Sequence, residues 1–176
     1  MVNRSTAWCL HWHTYTASCF TCNVATLIQP LAHTDQAIAT EIRAVFQASY
    51  AIEAALLNAT DFPPLKRPLN QYIQCDNTFF GFYQADELAG VIEIDQGAHA
   101  THIQSLVVHP DFFRQGIAGK LVQFALDTFN PTRFTVETGV ANTPACALYK
   151  KYNFEEVNQY DTDHGVRKVR FERQPD

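Results

Sequence analysis

The chain has 176 residues, a length that suits one domain with a full hydrophobic core. Hydrophobic residues make up 47% and charged residues 18%, and no apolar run is long enough to span a bilayer. The formal net charge of -5 argues against a broad nucleic-acid-binding surface. Any anionic ligand must therefore be held by local N–H groups and a few cations.

The five cysteines indicate a reducing environment. Their number is odd, and Cys9, Cys19 and Cys22 crowd into the first 22 residues. This distribution does not resemble a disulfide framework, so a cytoplasmic location is the simpler expectation.

Residues 1–24 show neither a helical nor a strand period, and we interpret them as an N-terminal arm, disordered in the simplest case, ahead of a domain over 25–176. Two alternatives stay open. A signal peptide is one, although His11 and His13 interrupt its apolar centre. A zinc site formed by these histidines with Cys19 and Cys22 is the other, but its spacing is shorter than in the usual finger, and we predict no metal.

From residue 25 onwards, apolar spacing and turn residues predict alternating strands and helices. Thr34–Asp35 and Thr143 are the predicted helix caps, and Asn153 is a residue that tolerates a left-handed helix end. In chain order, the predicted elements are strand 25–30, a helix from Thr34–Asp35 to Leu56, a short helix within 65–74 starting near Pro68, strands 78–84, 88–95 and 99–108, a helix over 117–129, strand 133–138, a helix from Thr143 with Pro144 as its first residue, and a hairpin of 154–159 and 166–173.

The stretch from 106 to 121 predicts a phosphate site. Leu106–Val108 is typical of a buried strand, and a proline break follows it before the next helix. A helix N-terminus offers unpaired N–H groups and the positive end of the helix dipole. Gly116 and Gly119 would let a ligand approach the backbone, and Arg114 and Lys120 add positive charge.

Two motifs resemble those of the GNAT superfamily of N-acetyltransferases. The loop FRQGIA, residues 113–118, is similar to the family's acetyl-CoA-binding pattern (Arg/Gln)-x-x-Gly-x-(Gly/Ala), with Phe113 in place of the usual first residue. The run NTPACALYKKYNF, residues 142–154, resembles N-x-x-A-x-x-L-Y-x-K-x-G-F, with Asn153 in place of glycine. The resemblance covers residues 25–173.

The resemblance implies a mixed α/β fold, with a central mixed sheet of about six to seven strands flanked by about four helices. It implies transfer of an acetyl group from acetyl-CoA to a primary amine of a small molecule or peptide, without a covalent enzyme intermediate. The family often dimerises, so a homodimer is an expected assembly, and we expect neither a nucleic-acid nor a membrane partner. The alternative is a non-catalytic acyl-CoA-binding or regulatory module, which Phe113 favours.

The resemblance also assigns site residues. Tyr149 would protonate the departing thiolate, and a bulge near Leu106–Val108 would expose N–H groups to the oxyanion. The base stays open among Glu93, His102 and Glu137, with a water relay as a further route; Glu137 could instead bind the acceptor's ammonium. Asn142 would bind the pantetheine arm or cap its own helix. The expected cofactor contacts are Leu106, Val107, Val108, Phe113, Arg114, Gln115, Gly116, Ile117, Ala118, Gly119, Lys120, Asn142 and Tyr149.

Overall fold

The computed structural model describes residues 27–98 and 100–174. The predicted N-terminal arm, with its signal-peptide and zinc-site alternatives, lies outside these ranges. Among the described residues, no group of three or more His, Cys, Asp or Glu side chains could hold a metal ion. In the same part of the chain, no helix combines the length and apolar character that crossing a membrane requires.

The described residues form seven strands and five helices, with a 3-10 turn at Pro110–Phe112. This agrees with the predicted mixed α/β class. In chain order, the elements are β1 (Ile28–Leu31), α1 (Gln36–Leu56), α2 (Pro63–Lys66), α3 (Leu69–Ile73), β2 (Thr78–Gln84), β3 (Glu87–Gln96), β4 (Thr101–Val108), α4 (Ile117–Thr128), β5 (Phe134–Gly139), α5 (Thr143–Lys151), β6 (Glu155–Asp161) and β7 (Arg167–Arg173).

The seven strands form one mixed sheet in the order β1-β2-β3-β4-β5-β7-β6. Neighbouring strands run antiparallel except β4 and β5, which are parallel. The predicted central mixed sheet of about six to seven strands is therefore confirmed.

The parallel pair β4–β5 is short. Its register contains three pairs, and the last joins Ile103 to Val136. Beyond that point the two strands part, which leaves a cleft between their carboxyl ends. This gap is where ligands bind in open α/β sheets.

A β-bulge in β4 lies at the start of the gap. Glu93 pairs with Ser105 and the next residue, Ile94, pairs with Ile103, so Gln104 is the extra residue. Our placement of the bulge near Leu106–Val108 was therefore wrong. The extra residue bends a strand away from its neighbour, and here the bend comes directly after the last pair with β5.

Helices cover both faces of the sheet. Side chains on α4 and α5, such as Leu121 and Tyr149, pack on one face against Ile92 and Phe171. Side chains on α1 and α3 pack on the other face against residues such as Val91. Because successive strand residues point to opposite faces, Val91 and Ile92 enter different cores.

The observed helices correct one prediction and add one element. The cap of α5 is Asn142 rather than Thr143, because its Oδ1 accepts the Ala145 N–H at 3.2 Å. The predicted short helix within 65–74 is present as α3, with Pro68 as its N-cap, but a further short helix before it, α2, was not predicted. Asp35 does cap α1, and Asn153 does adopt a positive φ of 60° at the end of α5.

Candidate active site

The cleft between β4 and β5 is a cavity of about 540 Å³. Its walls come from α1, the connection that holds α2 and α3, the parting strands, the start of α5 and the β6–β7 turn. Ser105 and Leu106 of β4 face Thr138 of β5 across it, and Asn142 and Tyr149 contribute from the α5 side. Three of the predicted cofactor contacts, Leu106, Asn142 and Tyr149, thus line one cavity, whereas residues 107–108 and 113–120 are not among its lining residues.

The loop over residues 113–120, called the phosphate loop below, has a backbone suited to an anion. Arg114 and Gly116 both have left-handed φ angles, of 62° and 75°, and α4 begins at Ile117. The first N–H groups of a helix have no carbonyl partner within it, and a turn of this kind points them towards a common concavity. A Cβ added to Gly116 would meet nothing within 4 Å. The loop therefore has both the donors and the free space that a phosphate requires.

The two loop glycines have different roles. Gly116 is required by its left-handed backbone, which side-chain-bearing residues rarely adopt. A Cβ at Gly119 would lie 2.8 Å from the Tyr152 hydroxyl of α5. The structure therefore gives Gly119 a packing role, whereas our sequence interpretation gave it a role in ligand approach.

The side chains of the phosphate loop are largely directed outwards. Phe113 is 41% exposed, at the position where the resemblance leads one to expect Arg or Gln. Gln115 accepts a hydrogen bond from Gln84 at 2.8 Å. The Lys120 ammonium lies 5.1 Å from the centroid of the Phe82 ring. Any hold that this loop has on phosphate thus depends mainly on backbone N–H groups.

Tyr149 is a buried tyrosine that faces the cleft. Its ring packs edge-on against Phe154 at 5.7 Å and tilted against Phe171 at 6.0 Å. Burial raises the pKa of its hydroxyl, and the nearby Glu53 and Tyr50 raise it further. The phenol therefore stays protonated at neutral pH and can act as a proton donor.

Asn142 uses both ends of its amide within the protein. Its oxygen caps α5, and its Nδ2 donates to Oε1 of Glu53 at 3.1 Å. Of the two roles left open by the sequence, helix capping is the one that the structure contains.

Glu93 is fully buried and held on three sides. Arg67 donates to both of its carboxylate oxygens, at 2.8 and 3.0 Å, and Asn77 donates at 2.7 Å. Glu93 lines a second cavity of about 470 Å³ rather than the cleft that contains Tyr149. These contacts favour a structural role, in which Glu93 ties the segment before α3 to β3.

His102 also lies away from the lining of the cleft. It belongs to the paired part of β4, and its Nδ1 is 2.7 Å from Oγ1 of Thr135. Burial lowers the pKa of its imidazole; Arg170 and Lys168 act in the same direction, while Glu137 and Asp95 oppose them.

Glu137 lines the cleft but already has several partners. It accepts a hydrogen bond from the Tyr160 hydroxyl at 2.6 Å and pairs with Lys168 at 3.8 Å and Arg170 at 4.0 Å. Burial and this carboxylate raise the pKa of Tyr160 to about 12.

Sequence reasoning missed two residues that α1 presents to the cleft, Tyr50 and Glu53. Tyr50 donates to Oγ of Ser105 at 3.0 Å, and Glu53 is the carboxylate bonded by Asn142. A signal was present in the sequence. The buried stripe of α1 continues from Phe46 in steps of three and four residues to both positions, and polar residues on a buried stripe indicate a site.

Residues 51–174 match the family described as Acetyltransferase (GNAT) domain. The chain is 32% identical to the UPF0157 protein YqkA of Bacillus subtilis over 141 residues, which are 80% of this chain. The chain spans about two fifths of the length of that relative, namely 41%.

Solved structures share the fold. The ribosomal-protein-S18-alanine N-acetyltransferase of Escherichia coli superposes with a TM-score of 0.66 at 18% identity, covering 84% of this chain and 92% of that chain. The PaiA N-acetyltransferase of Thermoplasma acidophilum, solved in complex with coenzyme A, superposes with a TM-score of 0.65 at 16% identity, covering 84% and 97%.

The match covers most of the chain and includes both strands of the cleft, β4 and β5, which places the protein in the class of proteins that contain an acetyltransferase domain. The chain belongs to the GNAT acetyltransferase family.

Proposed function

We propose that this chain transfers an acetyl group from acetyl-CoA to a primary amine of a small molecule or peptide. One observation carries the proposal: the buried phenol of Tyr149 lines the same cleft as Leu106 of β4. The phosphate loop follows β4 within a few residues along the chain. A proton donor and the end of a strand thus share one cleft, and the loop suited to an anion follows that strand in the chain.

The residues fit acetyl-CoA as follows. N–H groups at the start of α4, from Ile117 onwards, would hold the phosphates, and backbone groups of Leu106–Val108 would lie beside the pantetheine arm. Acetyl-CoA supplies a thioester that is already reactive towards an amine. The N–H groups near the bulge at Gln104 would stabilise the oxyanion, and Tyr149 would donate a proton to the departing sulfur.

The acceptor side of the cleft is polar and carries both signs of charge. Glu53 and Glu137 suit an ammonium, and Lys66 and Arg67 also line the cleft. Such a wall suits an amine that also carries carbonyl groups, as the α-amine of a peptide does. One structural relative is named for acting on the alanine of a ribosomal protein, which supports peptides as acceptors. A cytoplasmic location and a homodimer belong to the same proposal.

A thiol-release assay tests the function. The purified chain is mixed with acetyl-CoA and, separately, with polyamines, amino acids and short peptides with a free N-terminus. We expect thiol release that depends on the amine, together with acetylated product by mass spectrometry. Calorimetric binding of acetyl-CoA without thiol release for any amine would instead support a non-catalytic acyl-CoA-binding module, the alternative that the exposed Phe113 favours.

A further inference from the structure

The inner face of α1 ends in two polar residues that face the cleft. Ile42 and Phe46 on this face are fully buried against the sheet. The same face continues to Tyr50 and Glu53, and both line the cavity. Tyr50 is fixed by its hydrogen bond to Ser105, so this end of α1 is anchored across the gap to β4.

Glu53 has hydrogen-bond donors around it but no short ion pair among the described residues. Asn142 donates to Oε1 at 3.1 Å, and Thr138 forms a further side-chain hydrogen bond. Lys168 acts on it only through space. The groups that face Glu53 from the surrounding elements are Tyr50 of α1, Thr138 of β5, Asn142 and Tyr149 around α5, and Lys168 of β7.

This environment differs from that of Glu137, the other cleft carboxylate. Glu137 is compensated by Lys168, Arg170 and a tyrosine hydroxyl. Burial raises the pKa of Glu53, and the Asn142 hydrogen bond, the Lys168 charge and the Thr138 hydrogen bond lower it by less. A carboxylate with a raised pKa holds a proton more firmly, which is what a general base near neutral pH requires.

We propose that Glu53 is the general base that takes the proton from the acceptor's ammonium. The proposal rests on the acetyl transfer proposed above. Glu53 and Tyr149 line the same cavity, so one bound amine can lie between the base and the reacting carbonyl.

The proton and electron balance closes without another reactant. The ionised Glu53 removes one proton from R–NH3⁺, and the nitrogen lone pair forms the new bond to the acetyl carbon. The carbon–sulfur bond breaks, its electron pair goes to sulfur, and Tyr149 protonates that sulfur. The second nitrogen proton restores the tyrosine hydroxyl as the amide forms. Glu53 then releases its proton to solvent.

The test is a pH profile of kcat/KM with acetyl-CoA and a tetra-alanine amide. A second peptide starts with trifluoroalanine, whose weakly basic α-amine is largely unprotonated at neutral pH and needs no general base. The variants are Glu53→Gln and, as a matched control on the exposed side of the same helix, Glu41→Gln. For Glu53→Gln we expect kcat/KM with tetra-alanine amide to fall by about 10²-fold. The acid limb of its pH profile should move up to the α-amino pKa of about 8.

With the trifluoroalanine peptide, Glu53→Gln should lower kcat/KM by less than about tenfold, because its α-amine needs to lose no proton before it attacks. Glu41→Gln should match the wild type with both peptides. Equal losses with the two peptides, or an unchanged acid limb in Glu53→Gln, would overturn the assignment of the base while leaving acetyl transfer intact. No thiol release by the wild type with either peptide would overturn the proposed function, and this inference with it.

Discussion

At the scale of single residues, the site depends on side chains whose burial changes their proton affinity. Tyr149 and Glu53 are two such groups, and both line one cleft. Burial favours the uncharged form of each, so at neutral pH the tyrosine keeps its proton and the carboxyl binds one more readily than an exposed carboxyl would.

Tyr149→Phe should lower kcat by at least about 10²-fold, because it removes the hydroxyl and keeps the ring packing on Phe154 and Phe171. Acetyl-CoA affinity by calorimetry and the melting temperature should change little. Tyr83→Phe, a half-buried tyrosine outside the cleft, is the control. Full activity with a lowered melting temperature would identify Tyr149 as a packing residue only.

His102 should make the protein less stable in mild acid. Its pKa is lowered by burial in the folded state, from a reference value of 6.5, so the unfolded chain binds the proton more readily. The free energy of unfolding should therefore fall as pH drops through about 6.5 towards the lower folded value. Urea titrations between about pH 5 and pH 8 should show a shallower slope for His102→Gln than for the wild type. Parallel slopes would contradict this prediction.

The sequence predicted several residues of the site, but it did not show which side chains bond to one another. The motif located Tyr149 and Asn142, and both lie in the cleft. Glu93 was a reasonable base candidate until the structure showed it bound by Arg67 and Asn77. Those contacts join residues 16 to 26 positions apart, so no local pattern reveals them.

At the scale of elements, the start of α4 and the α2–α3 connection carry separate tasks. The start of α4 offers N–H groups to an anion. The α2–α3 connection forms a wall of the cleft and has few buried side chains of its own. Two contacts attach this connection to the sheet: the ion pair of Arg67 with Glu93, and the packing of Tyr72 of α3 in the core.

Gly116→Asp should weaken acetyl-CoA binding by more than about tenfold in calorimetry, since it brings a negative charge to the phosphate donors. It should also destabilise the fold by about 1–2 kcal/mol through its left-handed backbone. Gly165→Asp is the control, because Gly165 also has a left-handed φ, of 80°, and also has nothing within 4 Å of an added Cβ. Gly165→Asp should lose a similar amount of stability but keep its affinity for acetyl-CoA. Equal losses of affinity in the two variants would show that the phosphates bind elsewhere.

Arg67→Met should destabilise the protein by about 3 kcal/mol or more, because it leaves the Glu93 carboxylate buried without its cation. The neighbouring Lys66→Met removes only an exposed pair with Asp61 and should cost less than about 1 kcal/mol. Urea unfolding of both variants measures the difference. Similar costs for the two would show that the buried pair does not hold the connection.

At the scale of the whole molecule, the sheet is predictable because its strands follow simple apolar patterns, and the antiparallel meander of β2, β3 and β4 follows from short turns. The bulge at Gln104 is not predictable in this way. It depends on the pairing of β4 with both β3 and β5, and a strand's own residues do not encode where a neighbour stops.

Hydrogen exchange should reveal an uneven distribution of stability. The central strands, with β3 buried along most of its length, should exchange slowest, while the α2 region and the exposed edge strand β6 should exchange early. Adding acetyl-CoA should slow exchange in residues 113–120 far more than in β6. Equal slowing across the molecule would indicate general stabilisation rather than binding at that loop.

The short parallel register between β4 and β5 also has a mechanical consequence. Three residue pairs carry the backbone connection between the two halves of the sheet, whereas β3 and β4 share seven. Under a pulling force applied across the sheet, each hydrogen bond of this short seam bears a larger share of the load, so rupture should begin there. A ligand that lies in the gap and contacts both strands would carry part of this load. The rupture force measured on single molecules should therefore rise when the ligand binds.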